Sequence, residues 1–241
     1  MNRKVFNKLF NLITKYRLEK ILPEMRQELI SYSKGSNTTG TQPITLYLAV
    51  RDILKYRPRN ILECGTGAST IVLALAVKKL KIDDPTYDGK IVSMESVEEW
   101  YNVAVGNLPE KFHDIVTIIH GPRVKYEIAM FRGYRHSNIP KRDYDFVFLD
   151  GPSFEDDFGT SFCADVHHVV EMKNDGILRG VIDGRASSAY VIQQMFGLRS
   201  VRYYLYLLAA SFKIDTARLK KKFNSTDMVS SLAGKLRLPD R

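Results

Sequence analysis

Cysteine is scarce: the chain of 241 residues has two, Cys64 and Cys163, far apart in sequence and in no C-x-x-C pair. That argues against a disulfide scaffold or a zinc site and for a reducing compartment. No apolar run approaches the ~18 residues that mark a membrane span. The basic N-terminus has no apolar stretch followed by a small-residue cleavage site, so no secretory signal is expected. These absences predict a cytoplasmic protein with no membrane span. Internal repeats are also missing, as is the bias of disordered or collagen-like chains. What is there, 44% hydrophobic and 26% charged residues, suits one decorated domain long enough to bury a core unaided.

The net charge of +9 is unevenly spread. Residues 1–30 carry seven Lys/Arg against three Glu (+4), residues 213–241 carry eight against three Asp (+5), and the rest sums to zero. A nucleic-acid enzyme more often places its basic patch around the cleft. Basic termini on a neutral core read as solvated helix faces, or as appendages touching something acidic, nucleic acid included.

Residues 3–31 have the spacing of an amphipathic helix, which Pro23 kinks or splits. Such a basic helix packs on its own domain, joins a second copy as a homodimer, or lies on an anionic membrane surface. Ser33–Pro43 reads as a loop and Leu46–Tyr56 as a helix stopped by Pro58. Strands are predicted at Asn60–Cys64, Lys90–Glu95, Ile115–His120, Phe146–Leu149, Ile177–Asp183 and Val201–Leu208. Helices are predicted at Ser69–Lys81, Val97–Leu108, Phe162–Met172 and Ser187–Phe196, with a mixed segment after His120. This alternation predicts an α/β fold with a doubly wound, mostly parallel sheet and an N-terminal helical extension. The expected division is 1–43 for helix and loop, 44–212 for the Rossmann-like domain, and 213–241 for a basic C-terminal segment.

One stretch carries most of the chemistry. Ile61-Leu62-Glu63-Cys64-Gly65-Thr66-Gly67-Ala68-Ser69-Thr70 runs from strand through a glycine turn into a helix. The glycines let the backbone turn tightly and approach a ligand. The helix start offers unpaired N–H groups and a positive dipole end to an anion. A dinucleotide fingerprint would need glycine where Thr70 stands, and no Gly-Lys-Ser/Thr run forms a P-loop. Glu63 beside the turn suits a cation better than a pyrophosphate.

At these residues the chain resembles the class I methyltransferases that use S-adenosylmethionine (SAM), whose first motif reads acidic-x-Gly-x-Gly. The resemblance spans roughly residues 44–208. It implies that Glu63, Gly65 and Gly67, with Thr66, line the methionine part of SAM, with Ser69 and Thr70 near its carboxylate. Glu95, closing the second strand beside Ser96, would accept both ribose hydroxyls. His120 and Gly121 would border the adenine, and Asp150 would lie near the methyl group.

Asp150 and Asp183 end neighbouring strands and are the candidate catalytic carboxylates. They could hold Mg2+ as catechol O-methyltransferase-like enzymes do, but Gly184 stands where that family has a further polar side chain, so a metal is the lesser reading. Arg185 is placed either on an anionic substrate or in an ion pair with Asp150 or Asp183. His120, His136, His167 and His168 are the histidines weighed as a base. The Asp-Gly-Pro-Ser run at Asp150 departs from the Asn/Asp-Pro-Pro-Tyr/Phe of many nucleobase and glutamine methyltransferases. The expectation is O-methylation of a small molecule or glycan. The alternatives are an RNA methyltransferase with basic termini on the phosphate backbone, or a non-catalytic module that binds SAM or a nucleotide.

Overall fold

The computed structural model describes residues 3–34, 42–153, 155–156, 159–204 and 207–218. Most of the expected loop after Ser33 and of the basic segment at the C-terminus lies outside the described residues. Three helices open the chain: α1 (Arg3–Ile21), α2 (Met25–Ser33) and α3 (Pro43–Tyr56). The break between the first two falls at Pro23, which cannot donate the helical hydrogen bond. Helix α3 starts earlier than its apolar spacing suggested because Pro43 serves its first turn, and it stops at Arg57 in the left-handed region (φ 51°).

The alternating part follows as β1 (Asn60–Cys64), α4 (Ala68–Asp83), β2 (Lys90–Glu95), α5 (Glu98–Asn107), β3 (Val116–His120), β4 (Arg123–Ile128), β5 (Phe131–His136) and β6 (Phe146–Leu149). After the short β7 (Glu155–Asp156), β8 (Gly159–Thr160) and β9 (Phe162–Cys163) come α6 (Asp165–Met172), β10 (Ile177–Ile182), α7 (Ala186–Phe196), β11 (Val201–Tyr204) and β12 (Ala209–Asp215). Seven strands form the main sheet in the order β11-β12-β10-β6-β1-β2-β3. The run from β10 to β3 is parallel, while β12 lies antiparallel to both neighbours. The doubly wound, mostly parallel α/β sheet is therefore the fold.

A sheet covered on both faces needs apolar residues on both, and the period of two divides them. Ile61, Phe146, Phe148 and Val181 join a core with α3, α4 and residues of α1 and α2, Leu18 and Met25 among them. Leu62, Val147, Leu149 and Ile182 join a second core with α6 and α7. The N-terminal helices thus share the domain's own core. On the outer side of α1, Leu9, Leu12, Ile13 and Tyr16 stay exposed. Among the described residues no helix is long and apolar enough to cross a membrane.

Three local expectations are corrected. The helix expected over Phe162–Met172 begins only at Asp165; Phe162 and Cys163 form β9, which pairs with β5. The mixed segment after His120 is a hairpin, β4–β5, in a separate three-stranded sheet with β9. Of the last expected strand, Val201–Tyr204 is observed, residues 205–206 lie outside the described residues, and a further strand, β12, follows at Ala209–Asp215.

Candidate functional site

After β1 the chain winds through β2 and β3 to one side, and later through β6 and β10 to the other. The order reverses between β1 and β6, where doubly wound sheets open a ligand crevice at the carboxyl ends of their strands. The turns after β1 and β6 meet there. Gly65 adopts φ +96°, and a β-carbon on it would come within 3.1 Å of the Asp150 carbonyl carbon and the Gly151 nitrogen. One on Gly151 would lie 2.9 Å from the Gly65 α-carbon. At residue 65 glycine makes room for the backbone of the neighbouring turn.

Glu63 lies beneath the turn and is fully buried. Its Oε2 accepts hydrogen bonds from the hydroxyls of Thr70 (2.7 Å) and Ser93 (2.6 Å), and the Thr70 oxygen accepts the Gly67 N–H (3.0 Å). Burial pushes the Glu63 carboxyl up to about 7, against the pull of these hydroxyls. Its Oε1 has no hydrogen-bond partner among the described residues. Ser69 and Thr70 are buried as well. These three side chains set the shape of the turn from below, whereas Gly65, Thr66 and Ala68 are partly exposed.

Glu95 ties this turn to the next. One carboxylate oxygen accepts the N–H groups of Ser96 (2.7 Å) and Val97 (2.9 Å); the other accepts the Thr66 hydroxyl (3.0 Å) and, at 3.3 Å, its N–H. Beyond it, His120 lies against Tyr101 with ring centroids 5.5 Å apart. The Gly121 N–H donates to the Glu95 carbonyl (2.8 Å). A β-carbon on Gly121 would reach 2.5 Å from the Ser137 carbonyl oxygen, so no larger residue fits.

Across the switch point, Leu149 is in register with Ile182, which sets Asp150 and Asp183 side by side. The Arg185 guanidinium lies against both: its Nε is 2.8 Å from an Asp183 oxygen, with the N–H directed off that oxygen, and Nη2 is 3.8 Å from Asp150. Nη1 also donates to the Pro152 carbonyl (3.1 Å) and Nη2 to the Asp150 carbonyl. Arg185 is thus engaged in the ion pair that the sequence left as its second role. A fixed cation lies against both carboxylates, and Gly184 offers no third side chain. The donor set does not fit Mg2+, which takes near-octahedral oxygen ligands.

Burial and the Asp150 carboxylate beside it raise Asp183 to about 8, although Arg185 opposes this. The folded chain therefore holds this proton to higher pH than the unfolded chain does. Asp183 stabilises the fold most below about pH 4, and that contribution falls as pH rises toward 8. Asp183→Asn should accordingly gain stability relative to the parent between pH 5 and pH 9. Urea midpoints at the two pH values check this; an unchanged difference would refute it.

Three of the four candidate base histidines are committed elsewhere. Burial drives His167 down to about 3, and its ring packs 5.2 Å from Phe162 and 5.1 Å from Phe196. His168 faces Glu171. His136 is fully buried, with its Nδ1 2.9 Å from Asp165, whose other oxygen accepts the His136 N–H (2.8 Å). The sulfur of Cys64 completes this cluster, its ligating atoms all within 4.8 Å of one another. No sequence spacing announced it, because the residues come from β1, β5 and α6.

No family model and no curated protein matches the chain. Among solved structures it is similar to the O-methyltransferase of Bacillus cereus in complex with S-adenosylhomocysteine, at 19% identity over 70% of this chain and 72% of that one (TM-score 0.45). It is also similar to a methyltransferase of Podospora anserina with S-adenosylhomocysteine bound (14% identity, 82% and 75% covered, TM-score 0.48). A third is the O-methyltransferase of Streptomyces achromogenes involved in tomaymycin synthesis, in complex with SAM (17% identity, 73% of each chain, TM-score 0.44). At such identities the reading of function rests on the crevice itself.

Proposed function

We propose that the chain is a SAM-dependent methyltransferase that transfers the methyl group to an oxygen of a small molecule or glycan. The observation that carries this reading is the convergence of Glu95, the Gly65–Ala68 turn, and the Asp150–Asp183 pair at the carboxyl ends of adjacent strands. The fit to SAM is supported by the buried Glu63 carboxyl beneath the turn, whose Oε1 makes no hydrogen bond among the described residues. A cation bound above the turn would favour the ionised form of this carboxyl, which burial pushes up to about 7. In this proposal Thr66, Gly67 and Glu95 with Ser96 hold the methionine and ribose parts, and His120 and Gly121 border the adenine. Ribose hydroxyls would share or displace the donors that Glu95 now accepts. Bound there, SAM supplies an electrophilic methyl group on a sulfonium.

The protein's own task is then to align an acceptor and take its proton. Asp183, raised to about 8, is a stronger base than an ordinary carboxylate and is assigned that task. Arg185 fixes the orientation of both carboxylates and balances the negative charge that Asp183 carries until it takes the acceptor's proton. The rate should rise with pH through about 8 and then level. Asp183→Asn should lower kcat by roughly a hundredfold or more while SAM affinity stays within about twofold. Isothermal titration beside single-turnover kinetics separates the two effects.

The test supplies isotope-labelled SAM and separate small-molecule, glycan and RNA fractions as acceptors. Label in an alkali-stable ether of the first two supports the proposal. Label in RNA would replace it with the RNA reading, and SAM binding without transfer to any fraction would leave a binding module.

A further inference from the structure

Among the described residues, α3 does not cover all of the sheet face that carries it. There a cavity of about 390 Å3 lies between the C-terminal half of α3 and strands β10, β12 and β11. Six cations line it: Arg51, Lys55, Arg179, Arg199, Arg202 and Lys213. The acid among its lining residues is Asp52, which pairs with Arg51 at 2.7 Å. The cavity is separate from the crevice. Arg179 precedes Asp183 by four residues on β10, roughly 13 Å along the strand. Tyr56 closes α3 just before β1 begins, at the opposite strand ends from the crevice.

The strand register supplies an independent sign that the cavity is built for an anion. Arg179 and Lys213 are direct partners across the antiparallel β10–β12 pair. Arg202 is the partner of Ser211, which is two residues from Lys213 and on the same face. Like charges directly opposite one another destabilise a sheet. A strand pair free of other demands would alternate sign or use neutral residues, so this arrangement costs stability that a bound anion would restore. The aromatic rings prop the cations in place. Arg179 sits 4.1 Å and Lys55 5.0 Å from the Tyr56 ring centre, and Arg202 sits 5.1 Å from that of Tyr204. The hydrogen bond with Lys55 and the nearby charges hold the Tyr56 phenol below the usual tyrosine range. Rings already engaged by cations are poor platforms for stacking bases, which favours a compact ligand over a nucleic-acid strand.

We propose that this cavity is a second binding site, for a compact polyanion with two or more linked phosphate groups. A volume near 390 Å3 suits a ligand of that size. The proposal stands independently of the methyltransferase reading.

Calorimetric titration of the full chain with inorganic tripolyphosphate tests it, with orthophosphate and a short single-stranded RNA as separate arms. Tripolyphosphate should bind in the micromolar range and more tightly than either, and the binding should weaken as salt rises. The double variant Arg179→Gln/Lys213→Gln should bind it about tenfold or more weakly, consistent with lost charge-assisted contacts. Without anion that variant should melt no lower than the parent, because the repulsion is gone, and it should bind SAM as the parent does. Arg202→Gln provides a second, single-site check on the loss of binding. Equal tripolyphosphate affinity in parent and variants would overturn the proposal, and so would tighter binding of RNA.

Discussion

Asp165→Ala is expected to destabilise the protein by about 3–5 kcal/mol, the cost of removing one partner from a buried, hydrogen-bonded pair. Asp165 and His136 are both fully buried. The carboxylate accepts the backbone N–H of His136 with one oxygen and faces its ring nitrogen with the other. Alanine would leave the backbone N–H and the ring Nδ1 of His136 without their partner in a fully buried place, beside a cysteine that immediately precedes Gly65. For a chain of this length the loss corresponds to a fall in melting temperature of roughly 10 °C. Asp165→Asn keeps an acceptor for the backbone N–H and should cost less. Chemical denaturation of the three proteins checks the order, and a change below about 1 kcal/mol for alanine would contradict the assigned role.

The second large effect concerns the crevice. Glu95→Ala should weaken SAM binding by about tenfold or more, since a hydrogen bond to a charged group contributes roughly 1.5–3 kcal/mol. Two causes act together. The carboxylate is the proposed partner of the ribose hydroxyls, and it also draws the Thr66 turn toward Ser96 and Val97. Alanine removes both roles, so affinity and stability should fall together. Glu95→Gln retains an acceptor oxygen and should lose less of each. Titration calorimetry with a parallel melt distinguishes these outcomes. Undiminished SAM affinity in the alanine variant would show that the ribose is held elsewhere.

The central strands were legible in the sequence because each is an apolar run bounded by punctuation. Asn60–Cys64, Lys90–Glu95 and Phe146–Leu149 fall where the pattern placed them. The hairpins were not legible, for a specific reason. The β4–β5 turn passes through Ala129 (φ 54°) and the β11–β12 connection through Leu208 (φ 49°). Both are left-handed positions without the glycine or asparagine that normally signals a turn. Phe162 and Cys163 were read into a helix because their apolar run continues into Val166, Val169 and Val170. In the candidate site, strand-end residues such as Glu95, Asp150 and Asp183 could be placed by counting strand–helix–strand units. What counting could not supply was any cluster assembled across the sheet. Arg185 against its two carboxylates, Cys64 beside His136 and Asp165, and the basic cavity all depend on register. The cavity also shows how cations hide in a central segment of zero net charge: Arg51 with Lys55, Arg179, and Arg199 with Arg202 lie far apart in sequence, and Lys213 joins them from the basic C-terminal segment.

The most direct measurement is titration of the purified chain with SAM and with S-adenosylhomocysteine, with NAD and ATP as controls for the crevice. Micromolar binding of the first two, each tighter than either control, is the result this account predicts. A folded protein that binds neither SAM nor S-adenosylhomocysteine would contradict it.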